Sequence, residues 1–326
     1  MHKLLTQKRR KSMRTDTVYI HSCDKKHKLR TKIYIPDGGI KGIFQVVHGM
    51  TEHIDRYDRL MRDMAEDGYV TFGHDHLGHK GSVLNDSELG FISSQDGWDI
   101  LCRDTAEVYA YVRKLYPSVP YVLFGHSMGS FIVRITAQKY LTPDRLIVMG
   151  TGGPNPLSGV GLSLIKLIKK THGERHISPF IYSMAFGAYN KRFAGDGIYG
   201  WITSDERVRE EYSKDKYCTF KFTVSAMGDL MMLLQGSNKP ECADTIAKKH
   251  IPVLLVSGSD DPVGDYGRGV YKVYHALHTA GADVTMKLYD GYRHEILNDA
   301  SYTDTVRDIK EFISKEQIHS PKDRIQ

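Results

Sequence analysis

The 326-residue sequence is poor in cysteine and lacks long apolar runs. Its four cysteines, Cys23, Cys102, Cys218 and Cys242, form no CxxC pair and have no metal-ligand spacing, which predicts free thiols in a reducing compartment. No apolar run approaches the roughly 18 residues that a membrane-spanning helix needs. The first residues are basic but carry no hydrophobic stretch of a secretory signal, so we expect a cytoplasmic protein.

Positive charge is concentrated near the N-terminus. Residues 1–32 hold eleven Lys and Arg against two acidic residues, whereas the remaining chain holds 34 against 37. A basic arm on a mildly acidic body can contact anionic lipid or nucleic acid, but a solvated tail is the interpretation we favour. Basic and aromatic residues are not interleaved elsewhere, so we expect no nucleic-acid partner.

Short apolar runs alternate with helical patterns in the first half of the chain. Four of these runs follow one another at residues 42–47, 69–72, 121–124 and 146–149. This alternation predicts a parallel sheet with crossover helices. Two earlier runs, at residues 18–20 and 30–35, predict an opening strand pair.

The alternation stops after Gly152 and resumes at Pro252. The stretch between them holds amphipathic helical segments, such as residues 157–170, but no buried strand run. A last strand at 284–289 and a closing helix at 302–314 then complete the pattern. We therefore expect an α/β fold with a mostly parallel central sheet flanked by helices. It comprises a basic tail (residues 1–16), a core in two parts (17–152 and 250–318) and an inserted helical cap (153–249).

A G-x-S-x-G pentapeptide, GHSMG at residues 125–129, lies between a predicted strand and a predicted helix. This context is typical of a nucleophile elbow, in which a sharp turn holds the serine above the carboxyl edge of a sheet. The flanking glycines leave room for neighbouring backbone, which comes close in so tight a turn. Ser127 is therefore the candidate nucleophile.

A serine hydroxyl needs a general base, and the base needs an orienting carboxylate. In this topology both follow later strands, in the order serine, aspartate, histidine. The strand at 252–256 leads to Asp260 and Asp261, and spacing alone does not choose between them. His294 follows the last strand, and this position distinguishes it from the other 15 histidines. We predict a triad of Ser127, His294 and Asp261.

An oxyanion would be met by backbone N–H groups aimed at the developing charge. One is expected from Met128, directly after the nucleophile, and the second from Met50, in the loop after the strand at 42–47. His48 in that loop is expected to support it by hydrogen bonds. The polar loop at residues 75–79 is interpreted as a turn held by hydrogen bonds and not as a metal site, and we expect no metal elsewhere.

Four residues are predicted to contact substrate: Gly49, His126, Met231 and Val263. Met231 lies in an apolar stretch, MMLL, whose simplest interpretation is packing of the cap against the core. Methionine also adapts to flexible ligands, so the same stretch could form a wall for an acyl chain.

The motifs together resemble those of monoacylglycerol lipases and lysophospholipase-like hydrolases. HGMTEHIDRY at residues 48–57 is similar to their HGxxEHxxRY stretch, HDHLGHKGS at 74–82 to their DHxGHGxS loop, and GHSMG to their elbow. GSDDPVGD at 258–265 aligns with GSxDxxxD, which implies Asp261 as the catalytic aspartate. The likeness covers residues 17–318, and the order Lys80-Gly81-Ser82 departs from the usual Gly-x-Ser.

The resemblance implies an α/β-hydrolase fold, no cofactor, and a small-molecule acyl ester as substrate. It implies hydrolysis of monoacylglycerol or lysophospholipid esters through an acyl-enzyme, with transient contact at a membrane or micelle surface. The family also includes serine aminopeptidase-like sequences, so a peptidase with the same triad is an alternative. That activity needs acidic cap residues for the substrate amine, and the candidates are Glu174, Asp196, Asp205 and Glu206. A non-catalytic ligand-binding protein is a further alternative.

Overall fold

The computed structural model describes residues 13–315, which form one eight-stranded sheet with helices on both faces. The strands are β1 (Met13–His21), β2 (Lys28–Pro36), β3 (Gly42–Val47), β4 (Tyr69–His74), β5 (Tyr121–His126), β6 (Arg145–Met149), β7 (Val253–Gly258) and β8 (Val284–Tyr289). Their spatial order is β1-β2-β4-β3-β5-β6-β7-β8. β1, β2 and β4 pair antiparallel, and every other neighbouring pair is parallel. The mostly parallel sheet predicted from the sequence is confirmed.

Eleven α-helices are present in residues 13–315. They are α1 (Asp58–Glu66), α2 (Gly97–Leu115), α3 (Met128–Lys139), α4 (Ser158–His172), α5 (Pro179–Phe186), α6 (Glu206–Lys214), α7 (Lys216–Thr219), α8 (Val224–Ser237), α9 (Pro240–Lys248), α10 (Arg268–Thr279) and α11 (Tyr302–Ser314). None of these helices combines the length and the apolar character needed to cross a bilayer.

The central strands are buried on both faces, and their residues alternate between two apolar clusters. On β3, Phe44 and Val46 pack with α1 and α11, whereas Ile43 and Val47 face the cluster that contains α2, α3 and α10. The same alternation continues on β5, where Phe124 lies in the first cluster. These strands have nearly continuous apolar sequences because helices cover the sheet on both sides.

The cap predicted at residues 153–249 spans the helices between β6 and β7, α4 to α9. Helix α8 packs against both α4 and α3, so it joins this segment to the helix that follows Ser127. Helix α9 packs against α3 and α10 and lies in the layer beside the sheet. The apolar face of α9, with Cys242 and Ile246, belongs to the large core cluster.

β1 begins inside the segment predicted as a tail. Residues 13–16 pair with β2, from Met13 opposite Pro36 to Asp16 opposite Ile33. Arg14 and Asp16 form an ion pair, and alternate positions of β1 are exposed, as expected at a sheet edge. In the sequence these polar residues resemble a solvated tail. For this reason the predicted boundary between tail and core, after residue 16, lies later than the start of β1 at Met13. Residues 1–12 and 316–318, which the predicted boundaries also include, lie outside the described residues.

Candidate functional site

Ser127 lies in a strained turn between β5 and α3. Its backbone has φ 55° and ψ −120°, a conformation that costs a non-glycine residue roughly 1–3 kcal/mol. A Cβ atom on Gly125 would lie 2.3 Å from the Gly129 carbonyl oxygen, and one on Gly129 would lie 2.1 Å from that of Val47. Both glycines are therefore required by close backbone contacts, and the turn has the form of a nucleophile elbow.

His294 is hydrogen-bonded to Asp261 in the loops that follow β8 and β7. The His294 Nδ1 atom lies 2.9 Å from Asp261 Oδ2, and both side chains are buried. The carboxylate also accepts hydrogen bonds from the Ser257 hydroxyl at 3.2 Å and the Val263 amide at 2.9 Å. The geometry thus pairs His294 with Asp261 and not with the neighbouring Asp260.

Asp261 also controls the charge of His294. Burial disfavours the charged imidazole, but the nearby carboxylate attracts the charge and hydrogen-bonds the ring, and the net effect raises the pKa of His294 above its ordinary value. With Nδ1 held by Asp261, Nε2 is the nitrogen available for proton exchange with a substrate or a nucleophile.

Ser127 and His294 both border the turn after β6. The Ser127 amide donates to the Met149 carbonyl oxygen at 3.0 Å. The next residue, Gly150, has φ +59°, and a Cβ atom there would lie 3.1 Å from His294 Cε1. The rings of His294 and His126 are 4.7 Å apart, and His126 directly precedes Ser127. Ser127 and the Asp261–His294 pair therefore lie at the same edge of the sheet, beside the turn after β6.

The loop after β3 brings Gly49 against Ser127. A Cβ atom on Gly49 would lie 3.0 Å from Ser127 Cβ, so the following amide, that of Met50, lies beside the elbow. Within residues 13–315, the N–H groups of Met50 and Met128 donate to no acceptor. The Gly49 N–H is occupied, since it donates to the Glu52 carboxylate. This arrangement leaves two free donors of the kind an oxyanion hole requires.

The four residues predicted to contact substrate lie in different surroundings. Gly49 adjoins Ser127, and the Val263 carbonyl lies beside Gly152. Met231, on α8, approaches α4 at Gly161. His126 is buried, and its two ring nitrogens face the Tyr57 hydroxyl at 2.7 Å and the His294 carbonyl oxygen at 3.3 Å. For His126 the geometry favours a positioning role over the predicted substrate contact.

His48 supports the loop after β3 through hydrogen bonds, in the way the sequence predicts. Its Nδ1 donates to the Gly49 carbonyl oxygen at 2.8 Å, and its Nε2 accepts from the His76 amide at 3.0 Å. His79 Nε2 accepts from the Thr51 amide at 3.3 Å. Both His76 and His79 are buried, although they lie in a loop. Burial lowers the pKa of His79 to about 4, so this ring is neutral at physiological pH.

The polar loop at residues 75–79 is held by hydrogen bonds, as predicted. Asp75 accepts from the Ile54 and Gly81 amides and pairs with Arg30 at 3.0 Å. His79 Nδ1 donates to the Leu77 carbonyl oxygen at 2.9 Å. These bonds, with the one from the Thr51 amide, engage the Asp75 carboxylate and both ring nitrogens of His79.

A buried ionic network connects the loop after β3 to the residue after His294, and sequence reasoning missed it. Arg56 lies between Glu52 and Glu295, and the Tyr57 hydroxyl donates to Glu52 at 2.7 Å. Burial alone would raise the pKa of Glu52, but His126 and Arg56 lower it to about 2. Glu52, Arg56 and Tyr57 lie in the HGxxEHxxRY stretch, but a sequence motif does not show that this stretch contacts the loop that carries His294.

The cap is attached to the same histidine loop. The Glu295 amide donates to the Ile202 carbonyl oxygen at 2.8 Å, and Arg293 pairs with Asp196 at 2.7 Å. The Trp201 ring lies 5.2 Å from the His294 ring. Trp201 has no role assigned from the sequence, and the one available signal is that the chain has only two tryptophans.

Known proteins resemble this chain over most of its length. The family described as "Serine aminopeptidase, S33" matches residues 38–301. The human monoglyceride lipase is 25% identical over 263 residues, covering 79% of this chain and 77% of that protein. The monoacylglycerol lipase of Mycolicibacterium smegmatis is 24% identical over 293 residues, covering 86% and 91% respectively.

Solved structures share the fold over almost the whole chain. A thermostable carboxyl esterase from Bacillus coagulans, solved with glycerol, superposes with a TM-score of 0.86 at 29% identity, covering 93% of this chain and 98% of the esterase. A lipase in an open form gives a TM-score of 0.84 at 25% identity, covering 92% and 98%. The chain therefore belongs to the serine aminopeptidase S33 family of the α/β-hydrolase superfamily.

Proposed function

We propose that the protein is a serine ester hydrolase that cleaves acyl esters of the monoacylglycerol or lysophospholipid type. The observation that carries the proposal is the Asp261–His294 hydrogen bond, at the sheet edge where Ser127 is held in its strained turn. The similarity to monoglyceride lipases and to a carboxyl esterase supports esters as the substrate class.

The mechanism proceeds through an acyl-enzyme. Ser127 Oγ attacks the ester carbonyl carbon while His294 Nε2 takes the hydroxyl proton, and Asp261 stabilises the resulting imidazolium. The Met50 and Met128 amides hold the oxyanion. His294 then gives the proton to the departing alcohol. A water molecule, deprotonated by the same imidazole, releases the fatty acid and restores Ser127.

Apolar residues on the cap and core are suited to an acyl chain. A Cβ atom on Gly152 would lie 3.4 Å from Phe131 and 3.5 Å from Leu234, so both side chains border the turn after β6. Met231 extends this surface along α8 toward α4. Flexible methionine and leucine side chains accommodate chains of variable length.

The outer surface of the cap favours transient contact with a membrane or micelle. Helices α4 and α5 and the turns beside them expose apolar side chains: Leu157, Val160, Leu167, Ile177, Phe180 and Met184. Exposed Lys166 and Lys170 stand on α4 among them. Exposed apolar side chains on an amphipathic cap suit contact with a lipid surface, and the lysines suit anionic lipid.

The peptidase alternative needs a free acidic group in the cap for the substrate amine. Three of the four candidates have other roles. Asp196 pairs with Arg293, Asp205 caps α6 and pairs with Arg207, and Glu174 accepts from the Ser94 hydroxyl at 2.9 Å. Glu206 is exposed in the first turn of α6. These contacts favour the ester hydrolase.

The test compares purified wild type with Ser127→Ala on a monoacylglycerol, a lysophospholipid, and the anilides of leucine and proline. We expect ester turnover that falls on the order of 10⁶-fold in kcat in the variant, and no anilide cleavage. Faster cleavage of an anilide than of any ester would favour the peptidase. Undiminished ester turnover in Ser127→Ala would reject the assignment of the nucleophile.

A further inference from the structure

Three side chains with metal-ligating atoms meet where the cap contacts the core. His53 belongs to the loop after β3, Asp215 precedes α7, and Cys218 lies within α7. One ligand atom from each lies within 4.8 Å of the others, and His53 Nε2 is 2.8 Å from Asp215 Oδ2. His53 and Cys218 are buried, whereas the Asp215 side chain is about one third exposed, with a relative accessibility of 33%.

We propose that His53, Asp215 and Cys218 bind a divalent transition metal, with Zn²⁺ the best match, and that the metal ties the cap to the core. Thiolate, imidazole and carboxylate are the ligands that Zn²⁺ takes in proteins. In a tetrahedral zinc site neighbouring ligand atoms stand on the order of 3.5 Å apart. The three ligand atoms lie within 4.8 Å of one another, and water can fill the fourth position beside the partly exposed Asp215.

The surroundings provide a partner for the second ring nitrogen of His53. Asp55 Oδ2 lies 3.6 Å from His53 Nδ1, and Lys80 bonds to the same carboxylate at 2.7 Å. A metal-binding histidine usually donates its other N–H to a carboxylate, which fixes the ring orientation. Lys80 Nζ lies 3.2 Å from His53 Nδ1, so it must turn fully toward Asp55 when that nitrogen carries a proton.

The charges around Cys218 come from both sides of the junction. The negative charges of Glu52 and Glu295 oppose ionisation of the Cys218 thiol and attract a cation. The positive charge of Arg56 favours the thiolate and repels a cation. Burial, the largest influence, raises the pKa of Cys218 to about 12, so the free thiol is neutral. On binding, the metal forms a bond to Sγ and the thiol proton leaves to solvent. One proton is therefore released for each metal bound, because Cys218 binds as a thiolate.

Cobalt is the probe that reports the thiolate directly. We expect metal-stripped wild type to bind one Co²⁺ per chain with a thiolate-to-cobalt charge-transfer band, which Zn²⁺ abolishes by competition. At a Zn²⁺ concentration about 100 times its Kd, Tm should rise by roughly 5 °C. Cys218→Ser should abolish the charge-transfer band, and His53→Ala should weaken Co²⁺ binding at least tenfold.

Two further variants keep the test decisive. Cys242→Ser removes another buried thiol, at a site remote from this junction, and should leave Co²⁺ binding unchanged. Asp215→Asn retains an oxygen that can cap α7, so it should fold and yet bind Co²⁺ at least tenfold more weakly. A wild type with no band and no Zn²⁺-dependent Tm rise would overturn the proposal. So would a band that persists in Cys218→Ser. These readouts do not depend on ester hydrolysis.

Discussion

Gly49 offers a sharp test of how the loop after β3 supports the reaction. An added Cβ atom in Gly49→Ala would lie 2.6 Å from Glu52 Oε1 and 3.0 Å from Ser127 Cβ, where ordinary contacts begin at 3.4 Å. Relief therefore needs a shift of about 0.8 Å in the loop, in Glu52 or in the elbow. The shift would move the Met50 amide away from the oxyanion. Misplacement by about 1 Å costs on the order of 10²-fold in rate, and loss of one donor 10²–10³-fold.

The assay is steady-state hydrolysis of a monoacylglycerol, with Tm measured in parallel. We expect Gly49→Ala to lose kcat by 10²–10³-fold with little change in KM, because the donor acts in the transition state. The matched control is Gly159→Ala on α4, where an added Cβ atom meets nothing within 4 Å. It should keep wild-type kcat. A folded Gly49→Ala protein with kcat within about threefold of wild type would refute this account of the oxyanion hole.

Two further predictions address the histidine partner and the core. Asp261→Asn should lower kcat on the order of 10⁴-fold and move the acid limb of the kcat/KM profile to lower pH, since the carboxylate raises the pKa of His294. Asp260→Asn should leave both kcat and the acid limb unchanged. The reverse pattern would exchange the roles of the two aspartates. Phe124→Ala removes a fully buried ring from β5 and should lower the free energy of unfolding by about 3–5 kcal/mol in denaturant titrations. Leu84→Ala, with 60% of the residue exposed, should change it by about 0.5 kcal/mol or less, and equal effects would contradict the assignment of the core.

The sequence predicts the central sheet well because its strands are buried on both faces. The predicted runs at residues 42–47 and 121–124 are mostly apolar, and glycine or proline stands at or near their ends. β1 is predicted less well. Its alternate residues face solvent at the sheet edge, so the start at Met13 has no apolar signal.

The candidate site is predicted where a residue's role follows from its place in the topology. Ser127 and His294 each follow a strand end, and a resemblance to known motifs chooses Asp261 over Asp260. The buried ion pair between Arg56 and Glu295 joins residues 239 positions apart, and no local pattern encodes such a contact. The burial of His53, His76 and His79 is likewise set by tertiary packing, because polar residues in loops are usually exposed.

The contacts of Arg56 also join the loop after β3 to the loop after β8. Glu52 holds the Gly49 amide, and Glu295 adjoins His294, so one guanidinium links the donor loop to the proposed base. Removing one partner of a buried charge pair leaves the other uncompensated, at a cost of several kcal/mol. The network therefore serves to keep the two loops at a fixed separation.

In the proposed mechanism, His294 makes the Ser127 hydroxyl reactive toward carbonyl and phosphoryl centres. The most direct measurement of this reactivity is the rate of fluorophosphonate modification, with the adduct located by peptide mass spectrometry. We expect one adduct per chain, on Ser127, formed at least 10²-fold more slowly in His294→Ala. Rapid modification of a different residue, or an equal rate at Ser127 in folded His294→Ala, would contradict the proposed mechanism.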